Sequence, residues 1–200
     1  MTDEKQKAPK SIKRTIIEWI EAVVIAVLIA GFLSHFILIS AIVPTGSMEN
    51  TIMAGDRLIG FRFSYWFGGP ERGDIIIFDS TLYEDKLIKR VIGLPGETVE
   101  IRDAHVHING SDVPLDEPYL KEAWLHNNDG YRFEVPDGCY LVLGDNRNNS
   151  LDARFWTSDA FMLGKADNEE EAQSFTFVKK EDIIGKAIFK YYRSFDLLTK

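Results

Sequence analysis

The hydrophobic pattern of the chain changes character once, at Pro44. Before it, residues 22–43 are almost wholly apolar, with Ser34, His35 and Ser40 the strongly polar exceptions. A helix over that run rises about 1.5 Å per residue to about 33 Å, enough to cross the roughly 30 Å hydrocarbon core of a bilayer. Its backbone hydrogen bonds are all internal, as lipid requires. Pro44 has no N–H to donate and marks the exit. The run exceeds the about 7 to 15 residues of a cleavable targeting core, and its nearest small-x-small site, residues 39–41, puts bulky Ile39 at the outer position. The expected organisation is a basic tail at 1–14, a retained anchor helix over 15–43 and an extracytoplasmic domain over 44–200.

After Pro44, short β-rich runs take over at 57–63, 74–79, 86–92, 97–102, 105–109, 139–145 and 183–192. Alternation and β-branched residues mark most of them as strands. Gly68-Gly69-Pro70, Leu94-Pro95-Gly96 and Asp137-Gly138 supply turns between them, and Asn109-Gly110 is a hairpin signal. The expected fold class is mainly β: an antiparallel sheet or partly open barrel anchored by one N-terminal transmembrane helix. Two stretches break the rhythm. Residues 61–70, with Phe61, Phe63 and Trp66, suit either the headgroup layer of a membrane or an ordinary strand end packed in the core. Residues 158–174, with Glu169, Glu170 and Glu171, read as a solvated acidic insertion.

A composition of 45% hydrophobic, 12% aromatic and 27% charged residues is that of a folded chain and excludes disorder as the main state. The single cysteine, Cys139, permits no internal disulfide and, in the apolar run CYLVLGD, reads as an inert buried thiol. The net charge of -8 is uneven: residues 1–14 carry +3, which leaves -11 for the rest. An acidic body excludes nucleic acid as a partner, because phosphate binding needs clustered cations. The basic residues stand just before the apolar run, so the positive-inside rule puts the N-terminus in the cytoplasm and everything after Val43 across the membrane. His35 has no charged partner within the run and reads as a tolerated polar residue or a helix contact.

Four residues beyond the apolar run stands Ser47, in the sequence Gly-Ser-Met. A serine hydroxyl is a weak nucleophile until a neighbour removes its proton. The histidines offer little: His35 lies in the span, His105 and His107 in a strand and His126 in a loop, none within a triad motif. His105 and His107 share a strand face, but no third ligand is visible, so neither metal nor cofactor is expected. Lysine serves as a base when burial lowers its pKa from about 10.4 toward neutrality. Lys89 fits, lying between Ile88 and Val91 with cationic Arg90 adjacent; Lys86 fits worse, with Glu84 and Asp85 before it. The strand alone leaves two readings open, a buried base or a side chain pointing into solvent.

Five boxes occur in order: VPTGSMENTIMAGDRLI, RGDIIIF, KLIKRVIGLPGETVEI, VPDGCYLVLGDNRNNSLDAR and IIGKAIFKYY. Together they resemble the bacterial type I signal peptidases (leader peptidases), over the span and most of the body, with residues 110–130 and 158–174 least matched. The resemblance implies a membrane-bound serine endopeptidase that removes signal peptides from exported preproteins after small-x-small sites. It implies Ser47 as nucleophile, Lys89 as general base, the Ser47 N–H and Thr45 hydroxyl as oxyanion donors, and Ser150 as the group orienting the lysine. Arg90, Asp145, Asp152 and Arg154 match a charged support network. Met48, Phe61, Phe63 and Trp66 are candidates for facing substrate or membrane. The implied partners are preproteins, the bilayer and the secretion machinery; the implied location is the bacterial cytoplasmic membrane, with the catalytic domain on the outer face.

The chain departs from the family pattern at three sites. Thr45 replaces the usual serine, keeping the hydroxyl but restricting χ1; Asn50 replaces proline, which is expected to loosen the loop after the nucleophile; Ala153 removes a hydroxyl from the support network. Rival readings are a non-catalytic membrane-anchored module, a relative of self-cleaving repressors, which lacks the expected DNA-binding domain, and a small-ester hydrolase, which lacks the nucleophile-elbow glycines.

Overall fold

Helix α1 spans Ile12–Phe32 and continues as a π-helical turn over Leu33–Ile37. The computed structural model describes residues 12–124, 130–191 and 194–198, the side chains of Ser34 and His35 excepted. Most of the basic tail, residues 1–11, and His126 therefore lie outside the described residues. Its charged residues, Lys13, Arg14, Glu18 and Glu21, stand in the first half, and no residue of α1 is buried. Its length and composition are those of a membrane span.

The helix does not reach residue 43, as the apolar pattern suggested. Leu38–Ile42 form strand β1, at one end of the main sheet. Ile39 and Val43 are buried in the body's core. One apolar run thus forms both an exposed helix long enough to cross a membrane and a strand that buries Ile39 in protein, and hydropathy alone does not separate them. The stretch joining the helical segment to Ser47 is accordingly residues 38–46.

The body is built from β2 (Arg57–Phe61), β3 (Ile75–Ser80), β4 (Asp85–Gly93), β5 (Thr98–Arg102), β6 (His105–Ile108), β7 (Tyr131–Glu134), β8 (Cys139–Leu143), β9 (Val178–Lys179), β10 (Ile183–Lys190) and β11 (Asp196–Leu197). The main sheet runs β1-β2-β10-β3-β4-β8-β9, with β11 also on β10, and a small sheet runs β6-β5-β7. The pairings with a defined register are antiparallel. The main sheet has two free ends and is not closed into a barrel.

Strand β3 explains how the site is held. Ile75, Ile76, Ile77 and Phe78 are all buried, without the alternation of a half-wet strand. Side chains of a strand point alternately to its two faces. Ile76 and Phe78 join a large core with Trp156, Leu141 and Leu143, while Ile75 and Ile77 join a second with Met48, Ile52 and Leu58. Apolar cores on both faces fix β3, and β4 is held between β3 and β8.

Turn chemistry differs from the sequence reading in one place. The two-residue turn joining β5 to β6 is Asp103-Ala104, both at positive φ, whereas Asn109-Gly110 turns the chain after β6 into irregular structure. The acidic stretch is also not simply a solvated insertion. Helices α2 (Ala153–Met162) and α3 (Glu169–Ser174) pack Trp156, Ala160 and Ala172 into the core and leave the glutamates outside. Tyr83 donates to the Asp159 carboxylate, tying α2 to the β3–β4 hairpin. The exposed glutamates occupy the first turn of α3, where negative charge favours the helix dipole.

Candidate active site

Ser47 begins a tight turn between β1 and β2. The Ile52 N–H donates to Met48 O at 2.8 Å, and Val43 N–H to Asp56 O at 3.0 Å closes the base of the loop. Met48 and Ile52 are fully enclosed in the core below. Met48 therefore packs inward and faces neither substrate nor membrane, contrary to expectation: its unbranched side chain is what roots the turn. From the other side, Asn146 donates its backbone N–H to Ser47 O at 3.0 Å and its Nδ2 to Gly46 O at 2.9 Å. The chain can approach this closely because residue 144 is glycine: a Cβ there would lie 2.5 Å from Ser47 O and closer still to the Ser150 hydroxyl.

Lys89 on β4 points at this turn. Its Nζ lies 2.9 Å from Ser47 Oγ, donating as an ammonium and able to accept the hydroxyl proton as an amine. It also donates to Ile88 O at 3.3 Å. Lys89 is 3% exposed and Ser47 8%. Burial pushes the lysine pKa down from 10.5 to about 8, against the opposing pull of Asp152 and Asp145. At that value about one lysine in ten is a neutral amine at pH 7, against fewer than one in a thousand for a free side chain. The cause is desolvation; Arg90, suspected from its adjacency, points to the opposite face of β4 and pairs elsewhere.

The two carboxylates that would recharge Lys89 are each occupied by an arginine. Asp145 accepts from Arg90 Nε at 2.8 Å and Nη2 at 2.6 Å, and from the Thr51 hydroxyl. Arg90 also donates to Gly73 O at 2.7 Å and stacks 3.8 Å over the Tyr119 ring. Asp152 caps α2 and accepts from Arg154 Nε at 2.8 Å and Nη2 at 2.9 Å and from Gly144 N at 2.9 Å. Those partners hold the Asp152 carboxyl below its usual pKa despite full burial. The four residues expected as a support network thus form two bidentate pairs, the arrangement that makes buried charge tolerable.

Other expected residues fall as follows. Ser150 is buried near enough to Asp152 to help keep it charged, but its hydroxyl has no partner at hydrogen-bonding geometry, and no bond to Lys89 is formed. Thr45 is exposed at the lip of the turn. Asn50 does not loosen the loop: it sits at φ 90°, which proline cannot adopt, and donates to Tyr119 O at 3.2 Å and Leu120 O at 3.3 Å. Ala153 is buried at the start of α2. Phe61 and Trp66 are exposed, as is Phe67, and Phe63 packs edge-on against Trp66 with ring centroids 4.1 Å apart. The stretch 61–70 is therefore largely surface, anchored by Tyr65, which donates to Asp74 at 3.1 Å. Cys139 is half-buried and apart from the site. His105 and His107 each have ring Nδ1 against a backbone carbonyl, and among the described residues no three metal-binding side chains converge.

Sequence reasoning missed Gly144, Asn146, Arg147 and Glu117. The first three stand inside the box LGDNRNNS, and only their neighbours were singled out. Arg147 is buried and pairs with Glu117, donating from Nη1 at 3.1 Å and Nη2 at 2.5 Å. That pair ties the segment 117–124 to the loop beside the nucleophile, a contact across distant sequence that no local pattern announces.

The family model described as "Signal peptidase, peptidase S26" matches residues 16–192. A probable signal peptidase I-2 from Synechocystis is 34% identical over 96% of this chain and 79% of its own length. Signal peptidase I T from Bacillus subtilis is 40% identical over 77% of this chain and 85% of its own. A crystal structure of a signal peptidase I from Enterococcus faecalis is 36% identical, covers 58% of this chain and 95% of its own, and superposes with a TM-score of 0.42. The chain belongs to the signal peptidase I family, peptidase S26.

Proposed function

We propose that this chain cleaves signal peptides from preproteins by a serine–lysine mechanism, with Ser47 as nucleophile and Lys89 as general base. The observation that carries the reading is the 2.9 Å approach of Lys89 Nζ to Ser47 Oγ in a buried setting that lowers the lysine pKa to about 8. The neutral amine takes the hydroxyl proton as Ser47 Oγ attacks the scissile carbonyl. The resulting oxyanion is held by the Ser47 N–H and the Thr45 hydroxyl. Collapse expels the mature chain's new amine, which receives the proton from Lys89, and leaves the signal peptide esterified to Ser47. Water, deprotonated by the same amine, then hydrolyses the ester. Ser150, beside this centre, orients the lysine once substrate excludes solvent.

The substrate's apolar segment sits in the bilayer, as does α1, with the N-terminus of this chain in the cytoplasm and the β body on the outer face. The cleavage region binds as an extended strand whose small side chains fit shallow pockets, which accounts for small-x-small sites. Phe61, Trp66 and Phe67 suit the headgroup layer, where aromatic rings are stable.

Purified protein incubated in detergent with a preprotein carrying an Ala-x-Ala site is expected to release a product whose mass places the cut directly after the second alanine. An intact preprotein would sink the reading. Thr45→Val keeps the side-chain shape and deletes the hydroxyl. Losing that donor is expected to lower kcat on the order of 100-fold, about 3 kcal/mol, with KM little changed. An unchanged kcat would remove Thr45 from the oxyanion site.

A further inference from the structure

We propose that Lys190, Asp196 and Leu198 form a strap that sets the pose of the nucleophile turn, so that the segment 194–198 positions Ser47 for its reaction. The inference rests on the serine–lysine reading and adds to it a set of residues outside the dyad and its support pairs. The segment also lies beyond residues 16–192, which the family model matches.

The geometry begins with the two members of the dyad. Lys89 belongs to β4, which is held by β3 on one side and β8 on the other. Ser47 belongs to a turn, and a turn is the softer partner of any hydrogen bond between the two. The first half of the turn is secured by Asn146, which donates to the carbonyls of Gly46 and Ser47. Its second half ends at Thr51, which follows Asn50 at φ 90° in irregular backbone, so the Thr51 carbonyl takes no partner from a regular helix or strand.

Lys190 supplies that partner. Its Nζ donates to Thr51 O at 2.9 Å and pairs with Asp196 at 3.3 Å. Its side chain is 12% exposed, so the ammonium is fixed and not a waving surface charge. A charged donor on a backbone carbonyl makes a stronger hydrogen bond than a neutral one and holds that point of an irregular loop. Asp196 is delivered by β11, which pairs with the end of β10 in the register Lys190↔Asp196. Leu198 follows: its N–H donates to Ile188 O at 2.7 Å, and its side chain is buried in the same core as Met48 and Ile52. The side chains flanking Ser47 from below and the carbonyl at the end of its turn are thus held by one five-residue segment and the lysine it pairs with.

The space behind the turn explains why such a strap matters. A cleft of about 370 Å³ opens there, lined by Asn50, Thr51, Arg90, Tyr119, Lys190 and Leu198. Side-chain packing does not fill it; the Asn50 and Thr51 side chains brace one wall through Tyr119, Leu120 and Asp145, and the Lys190 hydrogen bond to Thr51 O holds the turn from across the cleft. A shift of about 1 Å in a reacting group is enough to cost a large factor in rate without disturbing substrate binding.

The test compares wild type, Lys190→Met and Lys190→Arg for cleavage of one preprotein, with kcat and KM separated and thermal melting measured on the same samples. Lys190→Met keeps the apolar stem and removes the ammonium. Its kcat is expected to fall about tenfold, with KM within about twofold and melting nearly unchanged. Lys190→Arg restores a donor and is expected to recover most of kcat. Leu198→Ala is expected to lower kcat and melting together, since it opens the core below Met48. Wild-type kcat in Lys190→Met overturns the strap, as does a loss that tracks melting or one that arginine fails to rescue. A wild-type protein that leaves the preprotein intact overturns the serine–lysine reading itself, and the strap with it.

Discussion

Ser47→Ala is expected to abolish preprotein cleavage, a fall of about 10⁴-fold or more in kcat, while the protein stays folded. The side chain is small and its hydroxyl is bonded to Lys89 Nζ, so its removal leaves the turn's anchors intact. Asn146 still holds Gly46 and Ser47 through their backbone carbonyls, and Met48 and Ile52 still fill the core beneath. Circular dichroism and thermal melting should therefore match wild type while product formation disappears. Residual activity of more than a few per cent would return the chain to the rival reading of a non-catalytic membrane-anchored module.

Lys89→Met is expected to be nearly as severe in rate and opposite in stability. The substitution conserves length and removes the amine, so Ser47 has no base within reach. Because serine and lysine act as one unit, the Ser47→Ala, Lys89→Met double variant should be no slower than either single one. Wild-type kcat/KM should rise with pH and level off above about 8, where the buried lysine becomes an amine. A profile flat from pH 6 to 9 would remove Lys89 as base.

Stability follows from the same shift. Between pH 8 and 10.5 the unfolded chain holds a proton on Lys89 that the folded chain has released, so wild-type stability should climb across that window. Below pH 8 both states are protonated, and the folded protein carries the full cost of a buried ammonium, roughly 3 kcal/mol. Lys89→Met escapes that cost. It should melt at least as high as wild type at pH 7 and lose the alkaline rise. Denaturant titrations of both proteins at pH 7 and pH 10 measure this directly. A Lys89→Met protein much less stable at pH 7 would mean that the lysine is structural and not poised for chemistry.

The strands illustrate how far a local pattern reaches. The run ETVEIR alternates because one face is buried, and it is legible without coordinates; HVHIN alternates in residue type, although His107 is buried along with Val106. β7, with the polar Arg132 and Glu134 between Tyr131 and Phe133, was not recognised, although its register with β5 places Phe133 opposite Val99. β1 was hidden differently, since its residues are as apolar as the helix before them. β11 is two residues long, and its existence depends on pairing with β10, 6 to 8 positions away in register.

The sequence by itself determined the helix that can cross a membrane, the β character of the body, and the serine and lysine whose residue types suit the reaction. Those properties reside in composition, period and chemical identity, which a one-dimensional string carries in full. Only the tertiary structure decided that Lys89 is buried instead of solvated, that Arg90 turns away to Asp145, that Met48 faces the core and that Asn50 braces its loop. It also brought Asn146, Gly144 and Lys190 to a turn more than 90 positions away in the chain. Burial, hydrogen-bond partnership and the pKa values that follow from them are properties of neighbours in space, and they come into being only when the chain folds.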